Sequence, residues 1–311
     1  MVGEHLRAYF VVNPHAANGR TGRVWPQIKA LAEKTLGKIA FGMTERQFHA
    51  MELTRAALQQ GFEMIVAVGG DGTNNEVVNG FFEEEQAINT EAVLAVVCSG
   101  TGSDLIKTLG IPREFERSIP LLAGREAKAT DVGRMTLRDH AGRDVRRYFI
   151  NIASFGVGGE VDDRVNKTSK ALGGKASFLW ASLRGSLAYK NKPVSISMDA
   201  GPPLERKVFN VAVANGRFFG AGMQTAPHAS VDDGKFDLVI LGDFSLRDQM
   251  KLMRTIYKGQ HLALPKVESF RATTVTAASP ERVLLDVDGE QPGMLPATFE
   301  IMPGAIRMKR P

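Results

Sequence analysis

The first third of the chain repeats one pattern of apolar and polar positions. Short uninterrupted apolar runs, typical of strands buried on both faces of a parallel sheet, alternate with segments whose apolar residues recur at helical spacing. The predicted strands are residues 9–12, 38–43, 64–68 and 93–98. Helices are predicted from Pro26, over residues 46–60 and from about Asn74. This alternation, which continues to about residue 125, predicts a doubly wound parallel α/β domain.

Beyond residue 131 the pattern changes to strands that mostly follow one another without helices between them. The predicted strands are residues 148–153, 194–198, 209–214, 236–241, 273–277, 283–287 and 299–302. Two helical segments interrupt them, at residues 162–189 and 246–257. A run of this kind predicts a β-sandwich. We therefore expect two domains, residues 1–130 and 131–303, with residues 304–311 returning to the first.

The stretch from Gly69 to Gly80 ends one predicted strand and begins the next helix. It reads Gly-Gly-Asp-Gly-Thr-Asn-Asn-Glu-Val-Val-Asn-Gly. A glycine loop between a strand and a helix aims backbone N–H groups at an anion, and phosphate is its natural ligand. In this pattern Thr73 or Asn74 caps the helix, and Glu76 lies in the first turn, where the helix dipole favours an acid.

An aspartate distinguishes this loop from better-known phosphate loops. Neither a Gly-Lys-Ser/Thr ending nor a Gly-x-Gly-x-x-Gly pattern is present, and Asp71 stands in place of the lysine. A carboxylate repels a triphosphate unless a cation lies between them, so Asp71 indicates a magnesium ion bridging to phosphate oxygens. The alternative is a tight glycine turn in which Asp71 only caps the helix.

Polar loops also follow two other strands of the predicted sheet. Asn13 and Pro14 follow the first strand, and residues 99–104 follow the strand that ends at Cys98. Ligands of parallel sheets bind beyond the carboxyl ends of the strands. We therefore expect these two loops and the Gly69 loop to meet at one nucleotide site.

Composition and charge narrow the class of protein. The chain has 311 residues, 43% hydrophobic and 23% charged, which is enough for two cores. A net charge of +5 suits anionic ligands or an anionic membrane surface, and no nucleic-acid-binding motif is present. The single cysteine, Cys98, lies in an apolar run, which indicates a buried thiol in a reducing cytoplasm. No apolar stretch is long enough to span a membrane, and the first residues lack the order of a signal peptide.

Residues 162–192 combine seven lysines and arginines with large apolar residues that include Trp180. Basic residues beside such a face are typical of a segment that lies on an anionic membrane surface. The alternative is that the aromatic residues belong to the core and the charges to a solvated face. Because no apolar stretch is long enough to span a membrane, any membrane contact is expected to be peripheral.

Five motifs occur in the order found in one kinase family. They are Asn13-Pro14, the Gly69–Gly80 stretch, Gly100-Thr-Gly-Ser-Asp104, Asp131-Val-Gly133 and Asp288-Gly-Glu290. Across essentially the whole chain the sequence resembles the diacylglycerol kinase catalytic family, most closely its soluble bacterial lipid kinases, which are relatives of NAD kinases. The resemblance implies an NAD kinase-like α/β nucleotide domain and a C-terminal β-sandwich, with the active site between them.

The resemblance also implies roles for individual residues. The implied ATP contacts are Asn13, Pro14, Thr44, Gly69, Gly70, Asp71, Gly72, Thr73, Asn74, Asn75, Glu76, Gly100 and Thr101. Asp71 would also hold the catalytic magnesium, and Glu290 would be the general base that takes the proton from a lipid hydroxyl. Without the resemblance, Asp288-Gly289 is an ordinary hairpin turn.

A second, structural magnesium is implied at Asp233, with the backbone carbonyls of Ser230 and Lys235 as partners. An ordinary hairpin turn is the alternative there. Two positions depart from the family pattern: Ser103 replaces an asparagine, with a shorter reach than an amide, and Asn74 replaces an apolar residue. Neither departure changes Asp71 or Glu290, so activity is expected to survive.

The sequence thus predicts an ATP- and magnesium-dependent lipid kinase that phosphorylates a hydroxyl of diacylglycerol or a related lipid. It is expected in the cytoplasm, peripherally bound to a membrane, with no nucleic-acid partner. The alternatives are a kinase for a soluble substrate such as NAD, and a non-catalytic nucleotide-sensing protein on the same fold. The oligomeric state is left open, with a homodimer among its alternatives.

Overall fold

The structure is a computed structural model that describes residues 5–99, 104–160 and 189–311. The chain divides into two compact units. Unit 1 comprises Met1–Val132, Val231–Asp233 and Met302–Pro311, and unit 2 comprises Gly133–Ser230 and Gly234–Ile301. The short piece 231–233, which belongs to unit 1 although it lies far along the chain, has no counterpart in the predicted domain bounds.

Unit 1 contains parallel strands joined by helices. Its strands are β1 (Ala8–Val12), β2 (Ala40–Met43), β3 (Met64–Gly69), β4 (Phe82–Glu83), β5 (Gln86–Ala87) and β6 (Val93–Cys98). Its helices are α1 (Arg20–Leu36), α2 (His49–Gln59), α3 (Asp71–Gly80), α4 (Asp104–Leu109) and α5 (Phe115–Ser118), and a 3-10 helix covers Ile119–Leu122. Strands β2, β1, β3 and β6 pair in that order, all parallel, while β4 and β5 form a separate hairpin.

Burial explains the uninterrupted apolar runs of unit 1. Every residue of β3 and β6 is buried, including the thiol-bearing Cys98, which confirms the prediction of a buried strand thiol. Residues of α1 pack onto the sheet, and the rings of Trp25 and Phe10 lie with centroids 5.9 Å apart. The central strands of the sheet are therefore the buried ones, and the carboxyl ends of all four parallel strands lie at one edge.

Asp131 joins three segments of unit 1 that are distant in sequence. Its backbone N–H donates to the Val231 carbonyl at 2.7 Å, and its Oδ1 accepts the backbone N–H of Gly304 at 2.7 Å. Past Gly304, Arg307 and Met308 pair in parallel with the start of β6. These bonds hold residues 302–311 to the rest of unit 1.

Unit 2 is built almost wholly of strands. They are β7 (Lys128–Arg138), β8 (Asp144–Phe149), β9 (Ile152–Gly156), β10 (Lys192–Met198), β11 (Leu204–Val208), β12 (Asn210–Ala214), β13 (Phe236–Leu241), β14 (Val267–Ala272), β15 (Thr274–Ala278), β16 (Leu285–Val287) and β17 (Met294–Met308). The first residues of β7 and the last of β17 belong to unit 1. Helix α6 (Leu246–Thr255) precedes 3-10 helices at Ile256–Lys258 and Gln260–Ala263.

Two sheets face each other in unit 2. One has the order β11-β10-β15-β17, with β7 beside β17 and β8 beside β7, and the other has the order β14-β13-β12-β9-β16. One buried apolar cluster combines residues of both sheets, and the rings of Phe155 on β9 and Phe299 on β17 lie with centroids 6.2 Å apart. The predicted combination of a parallel α/β unit and a β-sandwich is confirmed.

Three local predictions differ from the structure. The predicted strand 148–153 is two strands of different sheets, β8 and β9, with residues 150 and 151 between them. Helix α1 begins at Arg20, so Pro26 lies inside it and not in its first turn. The N-cap of α3 is Gly70 and not Thr73 or Asn74, because the helix begins at Asp71.

Most of the basic segment 162–192 lies outside the described residues, so its two interpretations stay predictions. Within the described part of the chain, no helix is both long and apolar enough to cross a membrane.

His261 is a buried histidine whose charge we expect to limit stability at acid pH. Its Nε2 lies 3.0 Å from the Thr225 carbonyl oxygen, which can only accept, so Nε2 carries the proton. Its Nδ1 is buried without a hydrogen-bond partner among the described residues, and burial lowers the pKa of His261 below 6.5. The unfolded state therefore takes up the proton first as pH falls.

The free energy of unfolding should consequently decline as pH drops below about 6.5. Urea denaturation at pH 7.5 and 5.5 measures the decline, and the variant His261→Gln should show a smaller one. An equal decline in both proteins would contradict this role of His261.

Candidate active site

Each parallel strand of unit 1 is followed by a polar residue or a glycine at its carboxyl end. The residues are Asn13 after β1, Thr44 after β2, Gly70 after β3 and Ser99 after β6. Backbone bonds hold three of them to a neighbouring strand: Asn13 donates to Val68 O at 3.0 Å, Thr44 to Val12 O at 2.8 Å and Ser99 to Gly69 O at 3.2 Å. The edge of the sheet thus brings together the loops that the sequence predicted to meet.

Side chains join these loops as well. Asn13 Nδ2 donates to Thr73 Oγ1 at 3.0 Å, which connects the first loop to α3. The hydroxyls of Ser99 and Thr21 lie 2.5 Å apart, which connects the β6 loop to α1. Gly100, Thr101 and Ser103 lie outside the described residues, so their predicted roles remain predictions. Pro14 follows Asn13 and accepts the backbone N–H of Gly22 at 3.1 Å.

The start of α3 has the geometry of an anion site. Gly70 is extended, and the first bond of the helix runs from Asn74 N to Gly70 O at 3.0 Å. The N–H groups of Asp71, Gly72 and Thr73 therefore have no acceptor within the helix. Gly69 is required because a Cβ at this position would collide with Thr73 Oγ1. A phosphate at this helix end would meet both backbone N–H donors and the positive end of the dipole.

Asp71 lies in the first turn of α3 and is only partly buried. Its Oδ2 accepts the backbone N–H of Asp104 at 3.4 Å, and Asp104 Oδ1 pairs with Lys107 Nζ at 3.1 Å. Among the described residues, no group of three or more His, Cys, Asp or Glu side chains could hold a metal ion. Magnesium in phosphoryl-transfer sites commonly binds one or two carboxylates plus substrate phosphates and water, so the donor set around Asp71 fits that ion.

Glu76 has a structural partner that the sequence did not reveal. Its two carboxylate oxygens accept the backbone N–H groups of Phe48 at 2.9 Å and Ala50 at 3.1 Å. These groups lie at the start of α2, whose N-cap, Phe48, supplies no side-chain bond of its own. Glu76 therefore caps the neighbouring helix, and its implied contact with ATP stays a prediction.

Replacing Glu76 with alanine is expected to lower the free energy of unfolding by about 1 kcal/mol, because two N–H groups lose their acceptor. Urea denaturation without nucleotide measures this loss. The control is Glu52→Ala, which removes a carboxylate of α2 that pairs with Arg46 in solvent and should cost less. Equal losses in the two variants would contradict the capping role.

Asn74 and Asn75 lie buried in α3. Asn79 Nδ2 donates to the Asn75 carbonyl oxygen at 2.8 Å, one turn apart. Asn74 is 3% exposed, and its Oδ1 has no hydrogen-bond partner among the described residues. A buried amide oxygen without a donor costs free energy. Asn74, which replaces an apolar residue of the family pattern, is therefore a candidate ligand contact.

In unit 2 the predicted base stands at the end of a tight turn. Val287 and Glu290 exchange backbone bonds of 2.8 and 3.0 Å, and Asp288 and Gly289 between them have φ values of 51° and 89°. Two consecutive positive φ angles define a type I′ turn, for which Asp-Gly is a preferred pair. The side chain of Glu290 takes no part in these bonds and is half-buried. The hairpin interpretation of Asp288-Gly289 is thus confirmed, and it is compatible with a role for Glu290.

Asp288 anchors this turn, a role that the sequence did not reveal. Its buried carboxylate accepts the backbone N–H groups of Ile150 at 3.1 Å, Asn151 at 3.2 Å and Ile152 at 2.9 Å. Two of these residues, Ile150 and Asn151, separate β8 from β9, and Ile152 begins β9, so the carboxylate holds the break between the two strands. In the sequence, the Asp288-Gly289 pair predicts a turn, but nothing indicates that the Asp288 carboxylate binds the N–H groups of residues 150–152.

The implied second magnesium site is not tested by these observations. Ser230 is half-buried, while Asp233 and Lys235 are exposed. The adjacent Asp232 pairs with Arg310 at 2.7 Å, within unit 1. The assignment of Ser230, Asp233 and Lys235 stays a prediction.

Comparison with known proteins agrees with the motifs. The diacylglycerol kinase catalytic domain matches residues 7–135, and the YegS C-terminal NAD kinase beta sandwich-like domain matches residues 151–310. A diacylglycerol kinase of Bacillus subtilis is 30% identical over 245 residues, covering 78% of this chain and 76% of the relative. One of Staphylococcus carnosus is 28% identical over 293 residues, covering 94% and 91%.

Solved structures share the fold. A diacylglycerol kinase structure from Bacillus anthracis superposes with a TM-score of 0.78 at 21% identity and covers 99% of this chain and 98% of its own. An NAD kinase from Archaeoglobus fulgidus in complex with ATP gives 0.50 at 14% identity, covering 97% and 92%. Since the two domain matches take in both units and the relatives span most of the sequence, the chain belongs to the diacylglycerol kinase family.

Proposed function

We propose that this chain is an ATP- and magnesium-dependent kinase that transfers the terminal phosphate of ATP to a hydroxyl of diacylglycerol or a related lipid. The observation that carries the proposal is the start of α3, where an aspartate and not a lysine lies in the first turn after a buried strand. The backbone N–H groups of the first helical turn suit phosphate oxygens, and the carboxylate beside them requires a cation between it and the phosphates. The names of the relatives supply the lipid class.

Asp71 would hold the magnesium ion through its carboxylate. When bound, the ion would supply a positive charge that neutralises the negative charge developing during transfer. The backbone N–H groups of Asp71, Gly72 and Thr73 bind and orient the phosphates. Asn13 holds Thr73 in place through its 3.0 Å bond, so the donors are positioned before the nucleotide arrives.

Glu290 serves as the general base. Its carboxylate accepts the proton of the lipid hydroxyl as the hydroxyl oxygen attacks the terminal phosphorus, and the bond between that phosphorus and the ADP oxygen breaks. ADP leaves with the electron pair of that bond, and the phosphorylated lipid is the other product. The turn that carries Glu290 is fixed by Asp288, which limits the freedom of the base before the reaction.

A kinase for a soluble substrate such as NAD is the second candidate, because NAD and NADH kinases share the fold. Against it, Asn75-Glu76 and Val-Val-Asn-Gly continue the glycine loop in the manner of the lipid kinases. A non-catalytic nucleotide sensor is the third candidate, and the presence of both Asp71 and Glu290 argues against it.

The test incubates the purified chain with magnesium and ATP labelled at its terminal phosphate. The acceptors are diacylglycerol, other lipid hydroxyls in mixed micelles, and NAD in solution. We expect label in a lipid. Label in NAD alone would replace the lipid assignment by the second candidate, and no transfer to any acceptor would favour the nucleotide sensor.

A further inference from the structure

Helix α6 and the 3-10 turn that continues it carry four large apolar side chains exposed to solvent. Leu246 is 54% exposed, Met250 59%, Met253 51% and Tyr257 49%, the last on the 3-10 turn that continues the helix. Spacings of four, three and four residues place them in one stripe along the helix. We call these residues the apolar stripe. Single exposed apolar residues are common on proteins, but a contiguous stripe marks a surface for association.

The apolar stripe does not serve the core of unit 2. The helix attaches through another side, where Leu252 and Ile256 are buried in a cluster with Phe244. Its start is fixed by a capping box, since Ser245 Oγ accepts the N–H of Asp248 at 3.3 Å and Asp248 Oδ2 accepts the N–H of Ser245 at 2.9 Å. Lys266 Nζ donates to the same Asp248 oxygen at 2.8 Å. The core contacts and the capping box therefore hold the helix in place, and the apolar stripe is not needed for its packing.

A second stripe runs beside the first and is basic. Each apolar residue is followed at once by a lysine or arginine: Arg247, Lys251, Arg254 and Lys258, all exposed. One helical residue is a rotation of about 100°, so the two stripes are neighbours that share the outer surface of the helix. None of these four cations forms an ion pair within the part of the chain that the structure describes. The one acid of α6, Asp248, is engaged by Lys266 and the cap.

The basic character extends past the start of the helix. An open concavity of about 510 Å³ next to Leu246 is lined by Lys190, Lys192 and Lys207. Lys192 pairs with Glu281 and Lys207 with Asp243, while Lys190 has no ion pair with a described residue. The apolar stripe thus lies beside a surface that is rich in lysine and arginine.

We propose that the outer face of α6 docks on the surface of a bilayer that contains anionic lipid. Methionine, leucine and tyrosine side chains enter the boundary between head groups and acyl chains, and the neighbouring lysines and arginines reach the lipid phosphates. The proposal rests on the proposed function, because a lipid kinase must meet a hydroxyl that lies in a bilayer. A second copy of the chain fits the surface poorly, because it would bring two rows of four cations together.

The test is sedimentation of the full chain with vesicles of phosphatidylcholine, alone or with 30% phosphatidylglycerol, at low and high salt. We expect binding that requires phosphatidylglycerol and weakens with salt. Two double variants divide the surface: Lys251→Gln with Arg254→Gln removes two charges, and Met250→Gln with Met253→Gln removes two apolar side chains. Glutamine keeps the helix. Each variant should bind at least tenfold more weakly than the unchanged chain.

The matched control is Lys34→Gln with Lys38→Gln, which removes two exposed charges from unit 1 and should leave vesicle binding unchanged. Circular dichroism verifies that every variant is folded. A loss in the control equal to that in the α6 charge variant would reduce the effect to net charge and overturn the proposal. A dimer that the α6 variants convert to a monomer in sedimentation velocity would assign the surface to a second copy instead.

The transfer assay, run on the unchanged chain, separates this proposal from the proposed function. Vesicle binding without transfer of label to any lipid would leave the docking surface standing and remove the kinase assignment. Transfer to a short-chain diacylglycerol dispersed in water, together with no binding to either vesicle, would overturn the docking surface and keep the kinase.

Discussion

Replacing Glu290 with glutamine is expected to slow phosphoryl transfer to the lipid by about 10²–10⁴-fold, which corresponds to roughly 3–5 kcal/mol of barrier. Glutamine has the same shape but cannot accept the hydroxyl proton. The turn should survive, because the two bonds that join Glu290 to Val287 are backbone bonds, which the substitution leaves in place. The measurement is the rate of label transfer from ATP to diacylglycerol at saturating substrates, together with the melting temperature of the variant.

The control for this variant is Glu205→Gln, the same chemical change at an exposed position of β11 in unit 2. Its transfer rate should equal that of the unchanged chain. ATP binding by calorimetry should persist in Glu290→Gln, because the predicted nucleotide contacts lie in unit 1. A transfer rate within threefold of the unchanged chain would remove Glu290 from the role of general base.

The parts of this fold that follow from local sequence were predictable. Strands β3 and β6 are buried on both faces, so their residues are apolar throughout. An uninterrupted apolar run in the sequence therefore predicts such a strand directly. The loops after β1, β3 and β6 lie at one edge because parallel strands joined by helices must end there. The positions of Asn13 and Asp71 at that edge therefore followed from the alternation of strands and helices alone.

Partners that are distant in sequence could not be predicted. Glu76 was predicted to lie in the first turn of its helix, but α3 begins at Asp71, so Glu76 lies beyond that turn. Its carboxylate instead bonds to Phe48 and Ala50 at the start of another helix. Strands β8 and β9 were predicted as one strand because their residues are almost continuously apolar across the break. The break depends on Asp288, more than 130 residues further along the chain. The spacing of apolar residues along the chain cannot predict a hydrogen bond between residues so far apart in sequence.

Asp288→Asn is expected to destabilise the chain by about 2–4 kcal/mol. The buried carboxylate accepts three backbone N–H groups, and an amide offers a single acceptor oxygen and turns an NH₂ group toward the remaining donors. Asparagine tolerates the left-handed conformation of this position, so the loss measures the hydrogen bonds and not backbone strain. Urea denaturation, fitted to a two-state transition where the probes coincide, gives the free energy of unfolding.

Asp199 provides a matched control in the same unit. It also has a positive φ, of 46°, and its Oδ1 accepts the N–H groups of Thr273 and Thr274 together with the Thr273 hydroxyl, but it is exposed. The three bonds to Asp199 share one oxygen, which asparagine keeps, and water can reach this exposed site. The bonds to Asp288 use both oxygens of a buried carboxylate, so Asp199→Asn should cost clearly less. If the two variants lost the same free energy, burial of the three donors would not be what makes Asp288 important. The anchoring of the turn before Glu290 would then need another cause.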